Sequence, residues 1–296
     1  MSQSARDCLC PALLVSALVG CAVVLPLGAR GAAPDGIPPE VRVAREVAFL
    51  GEGRAEKADL YSPSGKPGDP PRPAVLVIHG GGWVGGDKSA AREVNICTVL
   101  ASHGYVAMSI NYRLGPKNNP SASWPQNIRD CKAAVRWLRA NAGRLGIAPA
   151  RIGVIGSSAG GHLASLLGAT GNGAPFDDPA PAAIDPAGVS AVVALYAPIQ
   201  LGLGPIDASS DLGKSPFAYL DPGDPPFLLI HGTADTAVDP ARSREFAEAL
   251  DKAGVRHELV LVAGAGHSFD LQPPQRDLRP LVLAFLDRHL QAPGNP

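Results

Sequence analysis

Short apolar runs rich in β-branched residues alternate along this chain with longer segments that carry apolar residues at helical spacing. The short runs predict buried strands, at residues 74–78, 105–110, 151–155, 189–195, 227–230 and 258–262. The longer segments predict helices, at residues 90–102, 126–142, 159–169, 240–253 and 275–290. Because strands alternate with helices, the sheet is predicted to be mostly parallel and doubly wound. Residues 41–49 and 57–61 precede this pattern and predict an edge hairpin.

The N-terminal segment 11–29 carries no charged residue. A cleavable signal peptide would end near Ala29-Arg30-Gly31, a variant of the small-residue cleavage site. Alternatively, Leu18-Val19-Gly20-Cys21 resembles a bacterial lipobox, which would place a lipid on Cys21. The apolar stretch is also just long enough for an uncleaved anchor. All three hypotheses predict export, with a periplasmic or secreted protein.

The export segment is therefore assigned to residues 1–33, and a single α/β domain to residues 34–296. A hydrophobic content of 46% supports a sizeable core, and the net charge of −1 gives no electrostatic case for binding nucleic acid. Membrane contact is expected only through the N-terminal segment, and no motif fixes an oligomeric state. Cys97 and Cys131 fall on helices predicted to pack on opposite faces of the sheet, so they are predicted to be buried free thiols.

Two glycine-rich motifs follow predicted strands. His79-Gly80-Gly81-Gly82-Trp83 begins where strand 74–78 ends, and Gly156-Ser157-Ser158-Ala159-Gly160 joins strand 151–155 to the next helix. The first is an HGGG-type oxyanion loop, and the second has the G-x-S-x-G pattern of a nucleophile elbow. Both motifs lie at the carboxyl edge of the sheet, where open α/β sheets bind ligands.

A serine in an elbow needs a base and oxyanion donors before it can attack a carbonyl. We assign the nucleophile to Ser158. The oxyanion hole is assigned to the N–H of Ala159 together with that of Gly80 or Gly81. Trp83 has two open interpretations, as a wall of the substrate pocket or as a core tryptophan.

The base is predicted to be His267, which follows strand 258–262 through a Gly-Ala-Gly turn at the carboxyl edge. In this arrangement the chain order is serine, acid, histidine. Among the later histidines, His257 begins a strand at the wrong edge. His289 lies in the last turn of a helix, and His231 directly precedes the acid candidate.

The orienting acid is predicted to be Asp235, a few residues beyond strand 227–230. Its rival, Asp239, precedes Pro240 and is interpreted as a helix N-cap. His79 is predicted to order the oxyanion loop and His162 to pack or form a hydrogen bond. No His, Cys or carboxylate cluster has metal-ligand spacing, and no G-x-G-x-x-G opens a βαβ unit. Neither a metal nor a cofactor is therefore expected.

These motifs, with Gly86-Asp87-Lys88-Ser89, His231-Gly-x-x-Asp235 and Gly266-His267, resemble the α/β-hydrolase carboxylesterases. The closest similarity is to the bifunctional feruloyl and acetyl-xylan esterase type, near the hormone-sensitive-lipase group. The resemblance covers about residues 41–290 and implies Ser158, Asp235 and His267 as the catalytic triad, in agreement with the assignment from the residues. Hormone-sensitive-lipase relatives carry a substantial N-terminal cap. This chain departs from them, because its first strands are edge strands and segment 197–225 is short.

The resemblance implies an exported serine esterase with a short cap and an open, shallow site. Its expected substrates are acetyl or feruloyl esters, either small molecules or esters on plant polysaccharide. One alternative is an amidase resembling arylformamidases, which share an HGG-x-W loop. Another is a non-catalytic binding module on the same fold, although such modules usually lack a triad residue and none is missing here.

Overall fold

The computed structural model describes residues 37–65, 69–171, 176, 188–199 and 214–291. In this part of the chain one eight-stranded sheet is flanked by helices on both faces. Its strands are β1 Val41–Val47, β2 Ala58–Pro63, β3 Arg72–Ile78, β4 Val106–Ile110, β5 Ile147–Ser157, β6 Ala191–Leu195, β7 Phe227–Gly232 and β8 His257–Val262. Its helices are α1 Ala91–Ser102, α2 Gln126–Ala140, α3 Ala142–Leu145, α4 Ala159–Thr170, α5 Ala241–Ala253 and α6 Arg279–Leu290.

The strands are ordered β1-β2-β4-β3-β5-β6-β7-β8. The β1–β2 and β2–β4 pairs are antiparallel, and every pair from β4–β3 to β7–β8 is parallel. This topology confirms the predicted doubly wound α/β-hydrolase sheet, with the hairpin 41–61 at one edge. All six parallel strands end at the same edge, so the loops that follow them meet there.

Two hydrophobic cores lie on opposite faces of the sheet, because alternate residues of a strand point to opposite sides. On β3, Leu76 packs into the core covered by α2, α4 and α5, whereas Val75 and Val77 pack into the core under α1 and α6. Cys131 belongs to the first core and Cys97 to the second, and both are free and buried. The prediction for these cysteines is confirmed.

Helix α4, which follows the nucleophile elbow, is buried along its whole length. Lys132 of α2 is also buried, and its Nζ donates to the carbonyl oxygens of Thr170 and Gly171, at 3.4 and 3.1 Å. An ammonium at a helix C-terminus satisfies carbonyl groups that have no intrahelical partner and complements the helix dipole. These two hydrogen bonds therefore connect α2 to the C-terminal end of α4.

Several predicted boundaries were wrong. Strand β5 begins at Ile147, four residues early, because the Arg72–Ile147 pairing with β3 extends it across Pro149. Helix α6 begins at Arg279 and not at 275, and the Asp277 carboxylate accepts the Arg279 N–H at 3.0 Å. Short helical turns at Pro120–Ser123, Ala142–Leu145 and Pro216–Tyr219 were not predicted.

The predicted export segment 1–33, with its three hypotheses, lies outside the described residues. So does most of the predicted loop 170–189, and residues 200–213 of the segment that was predicted to be too short for a lid. None of the described helices is long and apolar enough to cross a membrane.

The two domain thiols are expected to be inert in the folded protein. Burial raises the pKa of both Cys97 and Cys131 well above the ordinary thiol value, so little thiolate is present at neutral pH. Peptide mapping after iodoacetamide treatment should show both unmodified in the native protein and both alkylated in guanidinium. Alkylation of either one in the native protein, or a Cys97–Cys131 disulfide, would contradict the two-face packing.

Candidate active site

The nucleophile elbow places Ser158 at the junction of β5 and α4 in a left-handed conformation, with φ 53° and ψ −121°. The Ser158 N–H donates to the Leu195 carbonyl at 2.9 Å. A Cβ on Gly156 would overlap the Gly160 carbonyl, and one on Gly160 would overlap the Ile78 carbonyl at the end of β3. Gly156 is thus required for the strained turn itself, and Gly160 for its packing against the end of β3.

His267 follows β8 and reaches both Ser158 and Asp235. Its Nε2 lies 3.0 Å from Ser158 Oγ, and its Nδ1 lies 2.6 Å from Asp235 Oδ2. Because a carboxylate only accepts hydrogen bonds, Nδ1 carries the proton and Nε2 is free to accept the serine proton. The structure therefore brings the three predicted side chains into one hydrogen-bonded chain.

Asp235 is held in a buried pocket beyond the end of β7. Its Oδ1 accepts the N–H groups of Ala237 and Val238, each at 2.9 Å, and its side chain is fully buried. Burial by itself would raise the pKa of Asp235. The hydrogen bonds from Val238, His267 and Ala237 outweigh that effect and lower the pKa below the ordinary aspartate value. The carboxylate is therefore ionised and fixed in orientation.

The acid and histidine loops are joined by backbone contacts. The Thr233 and Ala234 N–H groups donate to the Val262 and Ala265 carbonyls, at 3.0 and 2.9 Å. A Cβ on Gly232 would overlap the Ala265 carbonyl, so glycine is needed for this approach. The spacing between Asp235 and His267 is thus set by the backbone.

The alternative candidates for the acid and the base lie away from Ser158 or form other contacts. The N-cap residue of α5 is Pro240, so the predicted N-cap position of Asp239 is wrong by one residue; the Asp239 carboxylate accepts the Ala241 N–H at 2.9 Å. His257 and His289 line a cavity of about 520 Å³ with Arg256 and Arg288, at the opposite edge of the sheet from Ser158. Among the described residues that line this cavity there is no serine or cysteine.

The predicted oxyanion loop approaches Ser158 through Gly80. A Cβ on Gly80 would lie 2.9 Å from the Ser157 carbonyl oxygen and 3.2 Å from Ser158 Cβ. Gly81, Gly82 and Trp83 all have positive φ, at 117°, 62° and 61°. This run turns the chain so that the Val84 and Gly85 N–H groups both donate to the Gly81 carbonyl, at 3.1 and 3.0 Å.

Three amides remain available for an oxyanion. Within the described residues, the N–H groups of Gly80 and Gly81 form no backbone hydrogen bond. Ala159 is the first residue of α4, so its N–H has no intrahelical acceptor. The positive end of the α4 dipole also points toward this position. These are the donors that the sequence predicted, and the geometry leaves Gly80 and Gly81 as alternatives.

His79 orders the oxyanion loop, as expected. Its Nδ1 donates to the Gly80 carbonyl at 2.7 Å, and its ring stacks on Tyr112 with centroids 4.4 Å apart. The Tyr112 hydroxyl donates to the His79 carbonyl at 3.1 Å. Burial lowers the pKa of His79, against the opposing hydrogen bond to Gly80, so the ring is neutral. Its role is structural.

A second anchor for this loop is the segment Gly86-Asp87-Lys88-Ser89, whose role sequence analysis did not find. Asp87 accepts a hydrogen bond from Asn111 Nδ2 at 2.9 Å, and the Lys88 Nζ pairs with Asp59 Oδ1 at 3.1 Å. Asp59 is fully buried on β2. An acidic residue at a core-facing strand position was the signal that could have identified this ion pair.

A second group that sequence analysis missed surrounds His267. The Tyr196 ring lies edge-on to the His267 ring at 4.7 Å, and the Tyr196 hydroxyl donates to the Phe269 carbonyl at 2.5 Å. Arg92 Nη1 donates to the same hydroxyl at 3.3 Å, and Arg92 Nε pairs with buried Glu93 at 2.9 Å. The glutamate at a buried position of α1 was the available signal. Together these residues hold the loop that carries His267.

Trp83 lies beside His162, with ring centroids 5.4 Å apart and planes at 89°. His162 is one turn beyond Ser158 on α4, and its Nε2 donates to the Lys214 carbonyl at 2.6 Å. Burial lowers the pKa of His162 to about 4, against the opposing hydrogen bond, so it is neutral. Trp83 is only half buried, a position compatible with either predicted role. Among the described residues, no group of three or more His, Cys, Asp or Glu could hold a metal ion.

Comparison with known proteins gives one family. A family model described as BD-FAE matches residues 58–212 and 207–250. Esterase LipC of Mycobacterium tuberculosis is 30% identical, over 87% of this chain and 69% of LipC. The chain spans 51% to 69% of the length of three M. tuberculosis esterases that it matches.

Solved structures give a consistent result. Thermogutta terrifontis esterase 2 superposes with a TM-score of 0.72 at 29% identity, covering 86% of this chain and 97% of that one. Other structures of the same esterase are phosphorylated by paraoxon and bound to butyrate. An acetyl ester-xyloside bifunctional hydrolase from Caldicellulosiruptor lactoaceticus gives a TM-score of 0.67 at 26% identity, over 79% and 88% of the two chains.

Substitution of Gly80 by alanine tests the close approach of the oxyanion loop. The added methyl group would displace the loop from Ser158, and loss of one oxyanion donor lowers kcat by roughly 10²–10³-fold. Hydrolysis of 4-nitrophenyl acetate measures the effect. Gly143→Ala in α3, where a Cβ meets nothing within 4 Å, is the matched control and should keep wild-type activity. Equal activity in the two variants would contradict the assigned loop geometry.

Proposed function

The chain belongs to the BD-FAE family and is a serine carboxylic ester hydrolase of the α/β-hydrolase fold, and from this premise we propose that Ser158, His267 and Asp235 are its catalytic residues. The observation that carries the proposal is the hydrogen-bonded chain from Ser158 Oγ through His267 to Asp235, with distances of 3.0 and 2.6 Å. The substrates are short-acyl esters, and the reaction passes through an acyl-enzyme.

In the proposed mechanism Ser158 Oγ attacks the ester carbonyl while His267 Nε2 takes its proton. Negative charge develops on the carbonyl oxygen and is received by the N–H of Ala159 and by that of Gly80 or Gly81. His267 then protonates the leaving alcohol, and the acyl group remains on Ser158. Asp235 stabilises the imidazolium and holds its tautomer in both half-reactions. A water molecule, activated by His267, hydrolyses the acyl-enzyme.

The proposed substrate class is an acetyl or similarly short ester of a carbohydrate. Two observations support it: the similar proteins named above include an esterase bound to butyrate and an acetyl ester-xyloside hydrolase. Trp83, which is half-buried and packs edge-on against His162, is proposed as a wall of the pocket that limits the size of the acyl or alcohol group. Feruloyl esters on plant polysaccharide remain the second member of the proposed class.

We also propose that the protein is exported. The support is the uncharged segment 11–29, in which a signal peptide, a lipidated Cys21 and an anchor remain alternatives. Mass spectrometry of the protein from each fraction of a bacterial host would separate them, since cleavage near Ala29, a lipid on Cys21 and an intact N-terminus give different masses. Recovery of the intact chain from the cytosol alone would refute export.

Removal of the nucleophile should abolish turnover. We expect Ser158→Ala to lower kcat for 4-nitrophenyl acetate by about 10⁶-fold, and Asp235→Asn to lower it by about 10⁴-fold because the imidazole then adopts the wrong tautomer. The matched control is Ser165→Ala, which should be active. Ser165 is a buried serine further along α4, and its hydroxyl donates to the Gly161 carbonyl. A fully active Ser158→Ala variant would refute the mechanism.

The substrate class is tested by ranking esters against a formyl amide. We expect kcat/KM to fall from 4-nitrophenyl acetate through butyrate to octanoate, and acetylated xylan to release acetate in a Ser158-dependent manner. Methyl ferulate measures the feruloyl alternative. A kcat/KM for N-formylkynurenine above that for every ester would favour the amidase function, and no Ser158-dependent turnover of any of them would favour a binding module.

A further inference from the structure

A second histidine, His231, contacts the proposed catalytic acid in addition to His267. His231 is the fifth residue of β7 and is fully buried. Its Nε2 lies 3.1 Å from Asp235 Oδ2 and 3.0 Å from the Val238 carbonyl oxygen. Asp235 Oδ2 is the same oxygen that His267 contacts at 2.6 Å. Two histidines therefore share one carboxylate oxygen.

The protonation state of His231 follows from its partners. The Val238 carbonyl can only accept, so Nε2 carries a proton that is shared between this carbonyl and Asp235. On the other side of the ring, Nδ1 lies 2.7 Å from the hydroxyl of Ser243 on α5 and accepts its proton. Burial lowers the pKa of His231, against the opposing effects of Val238 and Asp235. The ring is therefore a neutral donor fixed in one tautomer.

We propose that His231 is a positioning residue that competes with His267 for Asp235 and so sets the pH below which ester hydrolysis is lost. This inference rests on the proposed function. The side chain of His231 contacts Asp235, Val238 and Ser243, so its proposed action on His267 passes through the carboxylate of Asp235. In the part of the chain that the structure describes, the titratable groups around it are Asp235 and His267, with Tyr196 facing the His267 ring from the loop after β6.

The direction of the effect follows from electrostatics. Each hydrogen bond donated to a carboxylate draws negative charge away from its other partners. With His231 in place, Asp235 has less charge to share with an imidazolium at His267 and stabilises it less. Without the His231 donor, the imidazolium is stabilised more strongly. The variant enzyme then requires a higher pH before His267 can accept the proton of Ser158.

Two substitutions separate this electrostatic role from simple packing. His231→Phe keeps a ring of similar shape but removes the donor. His231→Gln keeps an N–H near the position of Nε2, because both nitrogens are separated from the Cα by three carbon atoms. Loss of packing alone would lower kcat in both variants without moving the pH profile. Loss of the donor would move the profile in His231→Phe only, with rescue in His231→Gln.

The experiment is the pH dependence of kcat/KM for 4-nitrophenyl acetate between pH 5 and 9 in the full chain. The midpoint of the acid limb should rise by about half a pH unit or more in His231→Phe, since one pH unit corresponds to about 1.4 kcal/mol and a charged hydrogen bond contributes that order. In His231→Gln the midpoint should stay within about 0.2 unit of wild type. An unmoved midpoint in His231→Phe, or a shift to lower pH, would overturn the inference.

A measurement on the wild-type protein covers the case in which a variant does not fold. Imidazole ¹⁵N NMR should show His231 as the neutral Nε2–H tautomer throughout this range while another histidine titrates. A titrating His231, or an Nδ1–H tautomer, would overturn the inference. If wild-type hydrolysis does not depend on Ser158, the proposed function fails. If hydrolysis depends on Ser158 and the acid limb does not move in His231→Phe, only the proposed role of His231 fails.

Discussion

The close approach of two backbone segments is the constraint on which the rest of the site depends. The turn from β5 to α4 must pack against the end of β3 and the loop that follows it. That contact leaves no room for a Cβ at Gly160 or Gly80, and the turn itself leaves none at Gly156. Ser158 takes a left-handed conformation as a result, and its strain is sustained by the surrounding sheet and by fully buried α4. The proposed nucleophile and the proposed oxyanion donors are thus placed together by backbone packing.

The charged groups of the site are buried and are held by hydrogen bonds and ion pairs. Asp235 accepts four hydrogen bonds, from two amides and two histidines. The oxyanion loop is anchored by Lys88, which pairs with buried Asp59. The loop carrying His267 is anchored by Tyr196. Buried charges are tolerated only when they are paired in this way. The first anchor includes Asp59 on β2, and the second is Tyr196, which follows β6. These strands lie in opposite halves of the sheet, so the site depends on the whole sheet.

The sequence predicted the topology and the three aligned side chains because their determinants are local: apolar periodicity, glycine at fixed offsets, and chain order. Features that depend on distant partners were missed. Pairing with β3 extends β5 across Pro149, and the roles of Asp59 and Glu93 depend on Lys88 and Ser157, which are far away in sequence. His231 was considered only as an alternative base, because the sequence of β7 does not indicate its contact with Ser243 on α5.

The central claim is that Ser158 is the activated nucleophile, and covalent labelling tests it most directly. The purified chain is treated with paraoxon, which phosphorylates a similar esterase, and is then examined by intact mass and peptide mapping. The account predicts one diethylphosphoryl group per chain, located on Ser158 and on neither Ser157 nor Ser165. An unmodified chain, or a label on another residue, would contradict it.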